Sequence, residues 1–159
     1  MTAAPKPIPT LILPLPTADD TAALGARLAS VAQAGDCLLL EGPIGAGKSH
    51  LARAFIQARL GRAEEVPSPS FTLVQVYEAA GVEIWHADLY RLTHPDEVWE
   101  LGLDDAFAKA ICLVEWPDRL GNHVPPEALH LRLEAWGDGR RAVVTGGRAG
   151  LRKALGDHA

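Results

Sequence analysis

The chain has 159 residues, enough for one domain that buries about two-thirds of its unfolded surface. Apolar residues make up 48% and charged residues 22%, a composition that excludes intrinsic disorder. No apolar run approaches the ~20 residues of a membrane span, and a formal net charge of -5 argues against a free-standing nucleic-acid binder, which gains from a basic surface.

In chain order, residues 10–13 (TLIL) read as a short strand before Pro14. Residues 19–35 carry Leu24, Leu28 and Val31 at helical spacing and stop at Gly35. Residues 37–41 (CLLLE) form a buried strand, and residues 48–61 a helix with Leu51, Phe55 and Ile56 on one face and a stop at Gly61. Residues 67–71 (PSPSF) are a proline-stiffened loop. Residues 72–78 and 82–90 are two strands around a turn at Ala80–Gly81. Residues 94–108 suggest one or two short helices, and residues 111–115 (ICLVE) another apolar strand. Residues 128–136 and 140–147 flank Gly137–Asp138–Gly139 and predict a hairpin. Wholly apolar strands indicate burial on both faces. The expected fold is therefore an α/β domain with a mostly parallel sheet, helices on both faces and a C-terminal antiparallel hairpin.

The N-terminal segment, with one lysine and prolines breaking a short apolar stretch, does not read as a signal peptide. Cys37 and Cys112 both lie in apolar runs and read as buried thiols in a reducing compartment, so a cytoplasmic location is expected. Arg140, Arg141, Arg148, Arg152 and Lys153 concentrate charge near the C-terminus. They read either as a solvated helix face or as a patch for RNA or an acidic partner.

Gly42-Pro43-Ile44-Gly45-Ala46-Gly47-Lys48-Ser49 fits G-x-x-x-x-G-K-[ST] without a gap, between an apolar strand and an amphipathic helix. Glycines let backbone amides approach phosphate oxygens. The helix N-terminus adds unpaired N–H groups and a positive dipole end. Lys48 supplies a point charge for β- and γ-phosphates, and the Ser49 hydroxyl a magnesium ligand. The metal needs an acid at the end of a neighbouring strand. Glu115 closes one apolar strand and Asp88 ends the less apolar VEIWHAD. Trp116 follows Glu115 and reads equally as core packing or as a ligand contact. Ser70 or Thr72, in the loop after the helix, could offer a hydroxyl to the phosphate or metal.

The stretches GPIGAGKS, SPSFTLVQVYE, HADLYRL, LGLDDAF and ICLVEWPDRLG, in this order, resemble the TsaE (YjeE) family of bacterial P-loop ATPases, which serve threonylcarbamoyladenosine formation on tRNA. The resemblance runs from about Leu15 to about Val144, and HxDLYRL followed by VEW is its most particular part. It implies a single P-loop ATPase domain over residues 1–159, in a P-loop NTPase-like three-layer sandwich, binding ATP and Mg2+. It implies that residues 42–49 bind ATP, that Ser49 and Glu115 are magnesium ligands, and that Asp88 is the family's essential aspartate near the metal. Lys48, Asp88 and Glu115 become the candidate catalytic residues. Trp116 matches the family's EW tryptophan, and Ser68–Thr72 its switch-like segment. Nucleotide-base contacts are implied near Thr17–Ala18 and Gly139–Arg140. The chain departs from the pattern at Ser70, where threonine is common, at Pro43, where an acid is common, and at His50, which replaces a hydroxyl residue next to the motif and joins the candidate nucleotide contacts. None of these removes a required group.

The resemblance further implies action with the TsaD and TsaB proteins, with tRNA reached only through the complex, and no membrane association. A weak, partner-activated ATPase is the expected activity. Two alternatives stand beside it: a small-molecule kinase, which needs an acceptor pocket and usually an arginine-bearing lid, and a nucleotide-gated binding module without useful hydrolysis.

Overall fold

The computed structural model of the chain describes residues 10–62, 65–67, 69 and 72–156. In chain order its elements are β1 (Leu11–Leu15), α1 (Ala18–Val31), β2 (Cys37–Glu41), α2 (Lys48–Leu60), β3 (Val74–Ala79), β4 (Val82–Asp88), α3 (Glu97–Leu101), α4 (Leu103–Lys109), β5 (Ile111–Glu115), a 3₁₀ stretch Pro117–His123, β6 (Leu129–Trp136), β7 (Gly139–Gly146) and α5 (Ala149–Ala154).

Local chemistry sets the helix ends. Thr17 caps α1 through a reciprocal pair: the Asp20 amide donates to the Thr17 hydroxyl, and the Thr17 amide donates to the Asp20 carboxylate at 2.9 Å. Helix α2 stops at Gly61, whose left-handed backbone lets its amide close on the Gln57 carbonyl.

Among the described residues the strands form one seven-stranded sheet in the order β1-β7-β6-β2-β5-β4-β3. The expectation of a mostly parallel sheet is too strong: the sheet is mixed. The centre is parallel, with β2 beside β5 and β6, and β4 beside β5. The flanks are antiparallel, with β3 on β4, β6 on β7, and β1 on β7. The reason is connection length. The tight turns at Ala80–Gly81 and Gly137–Asp138 can only return a strand antiparallel, whereas parallel neighbours need a crossover.

Side chains alternate across the sheet and build a core on each face. Leu38, Leu40, Ile84, Ile111 and Leu113 pack with α1 and α2 residues such as Leu24, Leu28, Leu51, Phe55 and Ile56. Leu39, Ala87, Cys112 and Val114 pack with Val98, Leu103 and Ala106 of α3 and α4. Each fully buried Leu, Ile, Val or Phe among them contributes about 1.5–3 kcal/mol. Because strand period is two, Ile84, His86 and Asp88 share the α2 face, as do Leu113 and Glu115. The apolar residues anchor that face, and the polar ones emerge at its carboxyl end.

Three of the five basic C-terminal residues, Arg141, Arg148 and Arg152, are engaged within the chain, while Lys153 is exposed. Arg148 pairs with Asp36 at 2.8 Å and donates to the Val31 carbonyl, tying the start of α5 to the end of α1. Arg141 pairs with Glu134 across the β6–β7 hairpin at 2.6 Å. Arg152 is buried and donates to the Gly146 carbonyl at 2.8 Å. These charges are spent on docking the chain's own end.

Candidate functional site

Residues 42–47 leave the carboxyl end of β2 and turn directly into α2. The turn demands glycine at specific points. Gly42 has φ 141°, and a Cβ there would lie 2.5 Å from the Leu133 carbonyl oxygen. Gly47, at the N-cap of α2, has φ 106°. Both are left-handed conformations that a larger residue does not take without strain, and at Gly42 the space is closed as well. The loop therefore presses against β6 and delivers Lys48 and Ser49 as the first residues of the helix.

The Lys48 ammonium donates to the carbonyls of Gly42 and, at 3.2 Å, of Pro43. It also lies 3.9 Å from the centroid of the Trp116 indole. Burial pushes the Lys48 ammonium below the ordinary lysine value; the negative charges of Glu115, Asp88 and Asp118 oppose that shift. Lysine is rarely buried without a reason to be, and here it faces a cavity.

Ser49 donates its hydroxyl to Glu115 Oε1 at 2.8 Å, across 66 positions of sequence. Glu115 ends β5 next to β2, and Asp88 ends β4 directly opposite Glu115 in the parallel register. Asp88 Oδ1 accepts from the Tyr90 amide at 3.1 Å. Lys48, His86, Asp88 and Glu115 are all buried, at 5%, 1%, 6% and 2% exposure, and this concentration of charge at one sheet edge marks a site rather than a core.

A cavity of about 430 Å³ opens over this edge, lined by Ile44–His50, Asp88, Tyr90, Glu115 and Trp116. A second, of about 250 Å³, shares Gly45, Ala46, Gly47 and His50 with it and continues past Thr17, Ala18, Thr21, Gly139 and Arg140. The two form one trough along the glycine-rich loop. Arg140 donates to the Gly45 carbonyl, and the His50 ring bonds the Ala18 carbonyl at 3.0 Å, so both hold the trough's walls together. The Thr17 hydroxyl is engaged in the helix cap and donates to Asp20 at 2.8 Å.

The structure thus assembles most of the residues singled out in the sequence. Lys48, Ser49, His50, Asp88, Glu115 and Trp116 line the larger cavity, and Thr17, Ala18 and Arg140 the smaller. Gly42 and Pro43 contribute the carbonyls that receive Lys48. Thr72 does not line either cavity; its hydroxyl accepts from Gln75 at 3.0 Å. Ser70 lies outside the described residues.

Two residues were missed. Tyr90 lines the cavity and packs on Trp116, ring centroids 5.0 Å apart. His86 places Nε2 2.7 Å from Glu115 Oε2. The signal for His86 was the alternation Ile84, His86, Asp88, which puts a polar group two residues before a candidate acid on the same face. Trp116 itself sits at φ 58°, ψ 54°, a left-handed conformation costly for a side chain of this size. The contacts with Lys48 and Tyr90, and Pro117 beginning the next turn, hold it there.

The oxygen donors fit a magnesium–phosphate group. Magnesium is commonly held by one or two carboxylates, hydroxyls, waters and substrate phosphates. Ser49 Oγ and Glu115 Oε1 supply two such oxygens side by side, with the Lys48 cation next to them in a cleft of polar loop atoms.

A family model described as "Threonylcarbamoyl adenosine biosynthesis protein TsaE" matches residues 15–143. Among curated relatives, the tRNA threonylcarbamoyladenosine biosynthesis protein TsaE of Rickettsia conorii is 35% identical over 80% of this chain and 74% of its own. The protein of the same name from Bacillus subtilis is 36% identical over 79% of this chain and 78% of its own. The crystal structure of Bacillus subtilis YdiB superposes with a TM-score of 0.73 at 27% identity, covering 93% of each chain.

Proposed function

As the chain belongs to the TsaE family, we propose that it is the ATP-binding and hydrolysing component of the tRNA threonylcarbamoyladenosine machinery, acting with TsaD and TsaB. In this reading residues 42–49 are a P-loop, the domain is P-loop NTPase-like, and tRNA is met through the complex.

The observation that carries the reading is the Ser49–Glu115 contact at 2.8 Å beside the buried Lys48. Three groups from two distant segments meet where the parallel strands end, the edge at which open α/β sheets bind ligands. The amides of the loop and the start of α2 favour an anion there. Lys48 adds the charge that holds terminal phosphates. Ser49 and Glu115 would hold magnesium, which when bound neutralises charge on the β- and γ-phosphate oxygens. Asp88, whose Oδ1 accepts from the Tyr90 amide, would accept a proton from an attacking water. The neighbouring trough past Thr17, Ala18 and Arg140 gives room for the nucleoside.

The test is phosphate release from ATP by the purified chain with magnesium and no added acceptor, repeated with TsaD and TsaB present. Release that needs no acceptor supports an ATPase. Release that appears only with a small-molecule acceptor returns the kinase reading, and nucleotide binding without release under any condition returns the gated binding module.

A further inference from the structure

Glu115 is held from both sides. Ser49 donates to Oε1 at 2.8 Å, and the His86 ring approaches Oε2 at 2.7 Å. His86 is a β4 residue, fully buried beneath Asp88 on the face that α2 covers. Its other ring nitrogen, Nδ1, is buried and has no hydrogen-bond partner. These facts fix which nitrogen carries the hydrogen. A carboxylate only accepts, so Nε2 is the donor. A hydrogen on Nδ1 would be a buried orphan donor, which structures avoid more strictly than an idle lone pair.

We propose that His86 is the positioning residue of the magnesium site: its Nε2–H pins Glu115 Oε2 and thereby turns Oε1 toward Ser49 and the cavity. The inference rests on the magnesium–nucleotide reading of the site. Without the His86 donor, a glutamate has three rotatable bonds with which to leave this pose. The buried side chain beneath it would then offer neither a partner for Oε2 nor a direction for Oε1. Outer partners of metal-binding carboxylates typically change metal affinity by about 10–100-fold when removed.

Binding of a fluorescent ATP analogue, at fixed concentration, is followed while magnesium chloride is titrated. His86→Leu and His86→Asn both remove the donor at the Nε2 position, whereas His86→Gln carries an amide that reaches it. The expected result is a rise of about tenfold or more in the magnesium needed for half-maximal effect in the Leu and Asn variants, with binding in excess chelator unchanged. The Gln variant recovers most of the wild-type titration, which a purely structural role would not produce. In the wild-type protein, 15N spectra of the imidazole are expected to show hydrogen on Nε2; this measurement does not depend on any variant folding. An Nε2 without hydrogen, or wild-type magnesium titrations in folded Leu and Asn variants, overturns the inference alone. A wild-type protein whose nucleotide binding ignores magnesium overturns the site reading and this inference with it.

Discussion

The ammonium of Lys48 lies 3.9 Å from the centroid of the Trp116 indole. A cation over an indole face is attracted by the ring quadrupole, about 0.5–2 kcal/mol depending on desolvation. Phosphate oxygens compete for the same cation with full negative charge. Binding of ATP should therefore draw Lys48 off the ring and change the emission of Trp116. Fluorescence titration checks this: the nucleotide-dependent change should be present in the wild-type chain and absent in Trp116→Phe, although Trp85, Trp99 and Trp136 remain.

Lys48→Ala should fold, because the side chain faces a cavity and loop carbonyls rather than the apolar core. It removes a charge-assisted contact to phosphate, worth about 1.5–3 kcal/mol, so ATP affinity should fall on the order of 10- to 100-fold. Calorimetric titration with ATP, alongside circular dichroism of both proteins, separates loss of ligand from loss of fold. An unchanged affinity in the folded variant would reduce the glycine-rich loop to a turn.

The two acids should fail differently. Glu115 contacts Ser49 and His86 and, in the proposed reading, would hold the metal; Asp88 is oriented by Tyr90 and lines the cavity. Glu115→Gln keeps the shape but loses the charge, so it should blunt the magnesium dependence of nucleotide binding. Asp88→Asn should bind nucleotide with near-wild-type magnesium dependence and lose hydrolysis, by on the order of 10²-fold or more if it serves as a general base. Identical magnesium titrations for wild type and both variants would undo the division of labour.

Much of this site was legible in the sequence because its parts are local. The loop, Lys48 and Ser49 are contiguous, and an apolar strand ending in an acid places Glu115 at a sheet edge without any tertiary knowledge. The central strands were legible for the same reason, since CLLLE and ICLVE bury both faces. What the sequence did not carry was pairing. Nothing in residues 11–15 says that β1 adds antiparallel to β7, one of the three antiparallel pairings that make the sheet mixed. Nor does the run Arg148, Arg152 announce an ion pair with Asp36, which lies 112 positions earlier in the chain. His86 was hidden by its ordinary surroundings: only the position of Glu115 on the adjacent strand makes it a site residue. Trp116 could not be assigned because its role follows from a left-handed backbone that no residue preference predicts.

The cysteines give a prediction about pH. Cys37 and Cys112 are direct neighbours across β2 and β5 and both are buried. Burial pushes the Cys112 thiol up from its ordinary value of 9.0 to about 12, and pushes Cys37 up as well. A group whose folded value is raised leaves stability untouched below the unfolded value. Between pH 9.0 and about 12 the unfolded chain ionises first, so stability falls as pH rises. Denaturant unfolding should show that decline, and Cys112→Ala should flatten it from a lower starting stability. At pH 8 a thiol reagent should label the native protein only as fast as it opens, and the unfolded protein at once.

The last prediction concerns rate. In the larger cavity the described lining residues supply one cation, Lys48, and no arginine. Arg140 lies in the neighbouring trough, bonded to the Gly45 carbonyl, and Arg119 sits 3.9 Å from Asp118 on the outer 3₁₀ stretch. Neither is committed to the position where charge develops on a transferring phosphoryl group. An arginine supplied there is worth on the order of 10³ to 10⁵ in rate. The isolated chain should therefore bind ATP and hydrolyse it slowly. A docked partner can raise the rate by adding such a cation. The cavity mouth is open to such help: Ile44 is 77% and Tyr90 48% exposed, both at its rim. Steady-state phosphate release with TsaD and TsaB added should rise well above the rate of the chain alone. A fast basal rate indifferent to either partner would make the chain a stand-alone ATPase and detach its turnover from the modification cycle.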